Sequence, residues 1–147
     1  MQKFIWAVML VALMTFSISG CSKNGGGDVS QVKNGYLSLD KSINVGQAFD
    51  GYKYFKTKEW KAFKTEQGRR IVEFNGEIDL TKDDNVKMAY KDCAAVSFSV
   101  KFVINADSSF EVASVKKTVK LSDGTSNTSD RKEDLFLRWL YNNETLG

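Results

Sequence analysis

An alternating run near the middle of the chain is the sequence feature that most constrains the fold. Between positions 96 and 104 every second residue is large and apolar, and most residues between them are polar: Val96, Phe98, Val100, Phe102 and Ile104 alternate with Ser97, Ser99, Lys101 and Val103. Because neighbouring side chains of a β-strand point to opposite faces, this pattern predicts a strand with one face on a core and the other largely toward water. The polar segment at 105–109 then predicts a hairpin loop.

Two segments upstream also have the composition of strands. Residues 60–65 and 69–80 alternate in polarity on either side of a short turn sequence. Gly76 falls on the apolar side of the second segment. A glycine in such a place indicates a bulge or the close approach of another backbone.

A fourth strand is predicted over residues 110–121. Its apolar positions change phase half-way along, which predicts a bulge near Ala113 and Ser114 because a one-residue shift would otherwise turn the core face outward. The polar segments at 81–87 and 122–129 are expected to be exposed loops.

Helices are predicted at both ends of this strand region. Asn44 and Gln47 have the spacing of a capping box, ahead of a helix that is expected to end near Phe55. Asp130 and Glu133 form an acidic variant of the same motif. The apolar faces that follow are Val45, Ala48, Phe49 and Tyr52 in the first helix and Leu135, Phe136, Trp139 and Leu140 in the last.

The order of elements predicts an α+β fold. It consists of an N-terminal helix, a four-stranded antiparallel meander and a C-terminal helix, with the sheet covered on one face. The folded domain is expected to span residues 35–147.

The N-terminus has the pattern of a secretory signal. Lys3 precedes thirteen residues, 4–16, of which only Thr15 is polar. A membrane-spanning helix needs about 20 apolar residues, so this stretch fits the apolar core of a signal peptide better. Residues 1–20 are therefore predicted to be a leader.

The run Ile18-Ser19-Gly20-Cys21 at the end of the leader resembles the lipobox of bacterial lipoproteins. The resemblance implies cleavage before Cys21, diacylation of its thiol with chains such as palmitate, and acylation of the new amine. Several acyl chains anchor a protein firmly, whereas one chain binds only marginally. The residue after the cysteine is Ser22 rather than aspartate, and in diderm bacteria of the enteric type the resemblance then implies sorting to the outer membrane, with the domain facing the periplasm. The alternative is an unlipidated signal or uncleaved anchor in which Cys21 is incidental.

Residues 21–34 are predicted to be the lipidated cysteine and a flexible tether. The segment contains three consecutive glycines at 25–27 among polar neighbours. It lacks the preceding strand and the closing Gly-Lys-Ser or Gly-Lys-Thr of a phosphate-binding loop.

Most of the mature chain resembles a group of small, poorly characterised bacterial lipoproteins. The resemblance rests on VGQAFDGYKYFKTKEWKAFKTEQGRRIVEFNG (45–76), VSFSVKFVINADSSFEV (96–112) and LFLRWLYNNE (135–144). That group has no established activity. A remoter likeness, in element order and address alone, is to small lipoproteins of outer-membrane assembly and to related inhibitor-like domains.

The chemistry-bearing residues predict no catalytic site, metal site or cofactor. The chain has no histidine, the commonest general base and metal ligand. With Cys21 lipidated, Cys93 is the remaining thiol, and a packed thiol is the simpler interpretation than a nucleophile. The acids Asp79, Asp83 and Asp84 lack the spacing of a calcium loop.

A basic, aromatic segment is the most suggestive polar feature. Between positions 53 and 70 it carries seven basic residues and two acidic ones: Lys53, Lys56, Lys58, Lys61, Lys64, Arg69 and Arg70 against Glu59 and Glu66. Such a segment could lie near anionic headgroups, meet an acidic partner or glycan, or hold lysines on the solvent face of a hairpin with an aromatic core. An exported, lipid-anchored protein has little use for a nucleic-acid surface.

The sequence therefore predicts a membrane-anchored envelope lipoprotein that is not an enzyme. It would be an accessory or adaptor that binds an envelope protein and takes no nucleic acid or small-molecule cofactor. Alternatives are binding of a small ligand or cell-wall fragment, and inhibition of an envelope enzyme.

Overall fold

A computed structural model describes residues 25–145. The predicted leader and Cys21 lie outside the described residues. Over the described range the chain forms, in order, α1 (Gly25–Asn34), α2 (Val45–Gly51), β1 (Phe55–Lys64), β2 (Arg70–Ile78), α3 (Asp84–Ala89), β3 (Cys93–Ile104), β4 (Phe110–Leu121), β5 (Ser126–Asp130) and α4 (Glu133–Tyr141).

The strands form one antiparallel sheet in the order β1-β2-β3-β4-β5, so each strand pairs with its sequence neighbours. The α+β class and the antiparallel meander are confirmed. The predicted number of four strands is wrong, because β5 lies where an exposed polar loop was expected. Its five residues are all exposed and lack an apolar alternation. This strand forms through its pairing with β4. The pairing includes a 2.8 Å contact between the Thr118 and Thr128 hydroxyls.

Residues 25–34 form α1 where a flexible tether is predicted. Val32 on this helix is completely buried, and the Asp28 carboxylate receives a two-pronged hydrogen bond from the Arg70 guanidinium. The packed domain therefore begins before residue 35. Glycine content favours flexibility in an isolated segment, but here burial and an ion pair to the sheet outweigh it.

The segment predicted to be a loop at 81–87 also contains a helix. The Asp83 carboxylate accepts a hydrogen bond from the Val86 amide at 2.9 Å and so caps the start of α3. Val86 is almost completely buried, which fixes this short helix against the core.

Of the two capping boxes predicted from the sequence, the structure confirms the one at α2 and contradicts the one at α4. At α2, Asn44 and Gln47 exchange hydrogen bonds of 2.7 and 3.0 Å, so the capping box is confirmed, although the helix ends at Gly51 rather than near Phe55. At α4 the acidic capping box is wrong. Asp130 is the last residue of β5, and the N-cap is Lys132, which makes no side-chain cap bond.

The β3–β4 register confirms the bulge in β4. Lys101 faces Ser114 and Phe102 faces Val112, so Ala113 is the extra residue. The bulge lets β4 keep apolar side chains on the core at both ends of the strand.

The core lies between the helices and one face of the sheet. Its largest fully buried side chains are aromatic: Tyr52, Phe49, Phe74, Phe98, Phe102 and Phe136. We call this side of the sheet the helix face. The opposite side, which carries the row Lys61, Glu73 and Lys101, is the open face.

Gly76 is a site of close approach by aromatic rings rather than by backbone. A Cβ built there would lie 2.8 Å from the Phe74 ring and 2.9 Å from the Phe55 ring. Both rings are buried, so neither can swing away freely. The bulge of this hairpin falls at Lys56 on β1, between the paired residues Phe55 and Thr57.

We expect Gly76→Ala to lower the free energy of unfolding by about 1–3 kcal/mol, because the added methyl overpacks the core. Gly51→Ala is the matched control, since nothing lies within 4 Å of a Cβ at that position. Urea unfolding of both variants checks the difference. Equal stabilities would show that the Phe55 and Phe74 rings yield without cost.

Candidate binding surfaces

The basic segment (53–70) consists of the outermost strand β1 and the residues on either side of it. Its charged side chains point in several directions. Lys53 precedes β1 and holds its ammonium 4.8 Å from the Tyr54 ring centroid. Lys56 at the bulge pairs with Glu77 at 2.7 Å, and Lys58 donates to the Asp50 carbonyl of α2.

The remaining basic residues divide between the two faces and the β1–β2 turn. Lys61 lies on the open face, 2.9 Å from Glu73. Arg70 holds α1 through Asp28, and Lys64 and Arg69 are exposed beside the turn. The seven predicted binding residues therefore do not form one continuous cationic patch. Most lie beside an acid or a carbonyl oxygen.

Glu73 is the centre of the polar row on the open face. Its carboxylate lies 2.9 Å from the Lys61 ammonium and 3.8 Å from that of Lys101, and it accepts a 3.0 Å hydrogen bond from the Ser99 hydroxyl. Burial alone would raise the pKa of Glu73, but the hydrogen bonds from Lys61 and Ser99 and the two lysine charges together lower it. The Glu73 carboxylate on β2 is thus kept in its ionised form by side chains on the neighbouring strands β1 and β3.

An apolar row lies next to these charges. Phe63, Ile71 and Val103 face one another across β1, β2 and β3. Ile71 and Val103 are buried, while the Phe63 side chain is 40% exposed and sits 5.9 Å from the Lys101 ammonium. The open face thus carries a charged row and, nearer to the β1–β2 turn, an apolar row.

Lys117 is a buried lysine that the sequence interpretation missed. It is only 5% exposed, and its ammonium lies 3.1 Å from the Tyr90 hydroxyl and 5.8 Å from the Phe98 ring centroid. Burial, with a smaller contribution from the Arg131 charge, lowers the pKa of Lys117 to about 8. The sequence did contain a signal for this burial: Lys117 lies two residues from both Val115 and Val119, so the three share one face of a strand.

The other candidate groups have local structural contacts. Cys93 begins β3 as a half-buried free thiol packed against the core. Asp79 accepts hydrogen bonds from Thr81, and Asp83 caps α3. Within residues 25–145, no group of three or more His, Cys, Asp or Glu residues is placed to hold a metal ion.

The surface grooves are open to solvent. One of about 340 Å³ lies between the β1–β2 and β3–β4 turns and includes Arg69, Val103 and Ala106 in its lining. Another of about 440 Å³ lies beside α4, lined by Leu39, Glu133 and Leu137. The space between the helices and the sheet is filled by the buried aromatic rings.

No helix within residues 25–145 is long and apolar enough to cross a membrane. Comparisons with protein-family models, with curated proteins and with solved structures gave no match for this chain.

We expect the free energy of unfolding to rise between about pH 8 and pH 10 because of Lys117. Folded Lys117 loses its proton from about pH 8, whereas the unfolded side chain keeps it to 10.5, so the unfolded state binds more protons in this window. Above about pH 10 the raised pKa of Tyr90 acts in the opposite sense.

The measurement is urea unfolding at several pH values in a Cys93→Ser background. Lys117→Met should flatten the rise, and Lys116→Met, on the neighbouring exposed position, should retain it. A rise that is unchanged in Lys117→Met would contradict the assignment.

Proposed function

We propose that this chain is a lipid-anchored lipoprotein of the bacterial envelope, whose domain is a non-enzymatic accessory that binds another envelope protein. The observation that carries the proposal is the sequence Ile18-Ser19-Gly20-Cys21 at the end of a thirteen-residue apolar run. Three acyl chains on Cys21 would hold the protein at the outer membrane, on the periplasmic side.

The open face supports the choice of a protein partner. Across three strands it offers a shallow surface on which the Lys61, Glu73 and Lys101 charges adjoin the exposed Phe63 ring. Protein interfaces typically combine an apolar, aromatic centre with a polar rim, and they need no deep cleft.

The packing of the helix face weighs against an apolar ligand between the helices and the sheet. The rings of Phe49, Phe74 and Phe102 are fully buried in that space. Small-molecule sites are typically concave and enclose most of the ligand, whereas the two grooves described above are open to solvent.

Acylation at Cys21 is tested by growing cells with radioactive palmitate. The natural chain should be labelled and should sediment with membranes, while Cys21→Ser should lose the label and be released, because no other residue carries the lipid. Cys93→Ser removes the other cysteine and should be labelled normally. A label that persists in Cys21→Ser would refute the lipobox assignment.

Protein binding through the open face is tested with a photoreactive residue at Asn75, which lies on that face, or at Arg138, which is exposed on α4. Irradiated membranes should give a discrete adduct from position 75, and Lys101→Glu should weaken it by disturbing the charged row. No adduct from position 75, or identical adducts from both positions, would count against this surface.

A further inference from the structure

The N-terminal helix is bound to the sheet at a definite place. The Arg70 Nε atom lies 3.2 Å from both carboxylate oxygens of Asp28, and an Arg70 terminal nitrogen donates to Gln31 at 3.1 Å. The Gln31 amide in turn donates to the Ser108 carbonyl at 2.6 Å. Together with the buried Val32, these contacts hold α1 against one end of the sheet.

That end is defined by two hairpin turns. Arg70 directly follows the β1–β2 turn (65–69), and Ser108 lies in the β3–β4 turn (105–109). Arg70 pairs with Ile104, so both turns are at the same end of the sheet, which we call the turn end. The opposite end, here the far end, includes α3 and the connection between β4 and β5.

The distance from Cys21 to α1 is short. Three residues separate Cys21 from Gly25, so their Cα atoms, four steps apart along the chain, are at most about 14 Å apart even when it is fully extended. A strand of twelve residues such as β3 is about 40 Å long. A lipid at Cys21 can therefore lie near the turn end and cannot lie near the far end.

We propose that the turn end of the sheet faces the lipid surface. The inference rests on the proposed lipidation of Cys21, and it adds the orientation of the domain. Because α1 is held by Asp28 and Arg70, it does not lengthen the linker, and residues 65–69 and 105–109 are kept close to the headgroups. The far end, with α3, points away from the membrane, and the open face stands between the two ends.

The short linker, rather than charge attraction, sets this orientation. The exposed charges at the turn end are balanced, with Lys64 and Arg69 against Glu66 and Asp107. Opposite charges in equal number give little net attraction to an anionic surface. The orientation should therefore not depend on salt.

The test uses the lipidated full chain, purified from a bacterial host and reconstituted into phospholipid vesicles that contain a nitroxide-headgroup lipid. In a Cys93→Ser background, a fluorescent label is attached at Gln67→Cys in the β1–β2 turn or at Met88→Cys in α3, where the native side chain is 76% exposed. The acylated Cys21 thiol does not react with the label. We expect the nitroxide to quench the label at position 67 several-fold more strongly than the label at position 88.

Two controls separate the linker from other causes. Insertion of ten Gly and Ser residues after Asn24 leaves the contacts described for residues 25–145 in place and should lower the quenching at position 67 several-fold. Raising salt from about 0.1 M to about 1 M shortens the Debye length from about 10 Å to about 3 Å and should leave the natural pattern unchanged. Quenching that survives the insertion but is lost in salt would show that charge attraction holds the turn end.

The failures of the two proposals are distinguishable. A chain without acyl mass on Cys21 that does not bind vesicles would refute the lipoprotein proposal itself. A chain that is acylated and vesicle-bound, but whose label at position 88 is quenched as strongly as the label at 67, would refute the orientation and leave lipidation standing.

Discussion

The ring of Phe49 is the contact on which the rest of the domain depends. It lies on the short helix α2 and packs against Trp60, Phe74 and Phe102, one ring from each of β1, β2 and β3, with centroid distances of 4.9–5.7 Å. The ring centroid of Phe136 of α4 lies 6.4 Å from that of Phe49. One side chain thus joins three strands and the last helix. Helix α2, with seven residues, is too short to be stable alone, so this aromatic packing and its capping box hold it in place.

Much of this arrangement could be predicted from the sequence, because a half-buried antiparallel sheet shows its two faces as an alternation. The alternation around Phe98 and Phe102 gave β3, and the change of phase gave the bulge at Ala113. The missed elements are stabilised by partners distant in sequence. Helix α1 depends on Arg70, forty-two residues from Asp28, and the polar strand β5 depends on its pairing with β4. A local sequence pattern does not reveal contacts that depend on partners elsewhere in the chain.

The candidate surfaces likewise include features that a sequence pattern shows and features that only the fold shows. Clustering of lysines along residues 53–70 left open both a basic binding surface and the solvent face of a hairpin. A strand sends alternate side chains to opposite faces and so separates neighbours in sequence. The group around Glu73 is the converse case, because Lys61, Ser99 and Lys101 come together only through strand register. Lys117 was detectable from parity with Val115, whereas its contact with Tyr90 required the fold.

The position of the basic segment on β1 has a consequence for self-association. An outermost strand exposes backbone groups that can pair with a strand of another molecule, and charged side chains and bulges discourage such pairing. Strand β1 has ten residues, four of them lysines, and a bulge at Lys56. The opposite outermost strand, β5, has only five residues. Lysines that look like a binding motif in the sequence thus protect the longer border of the sheet from aggregation, above all where many copies would be crowded on one surface.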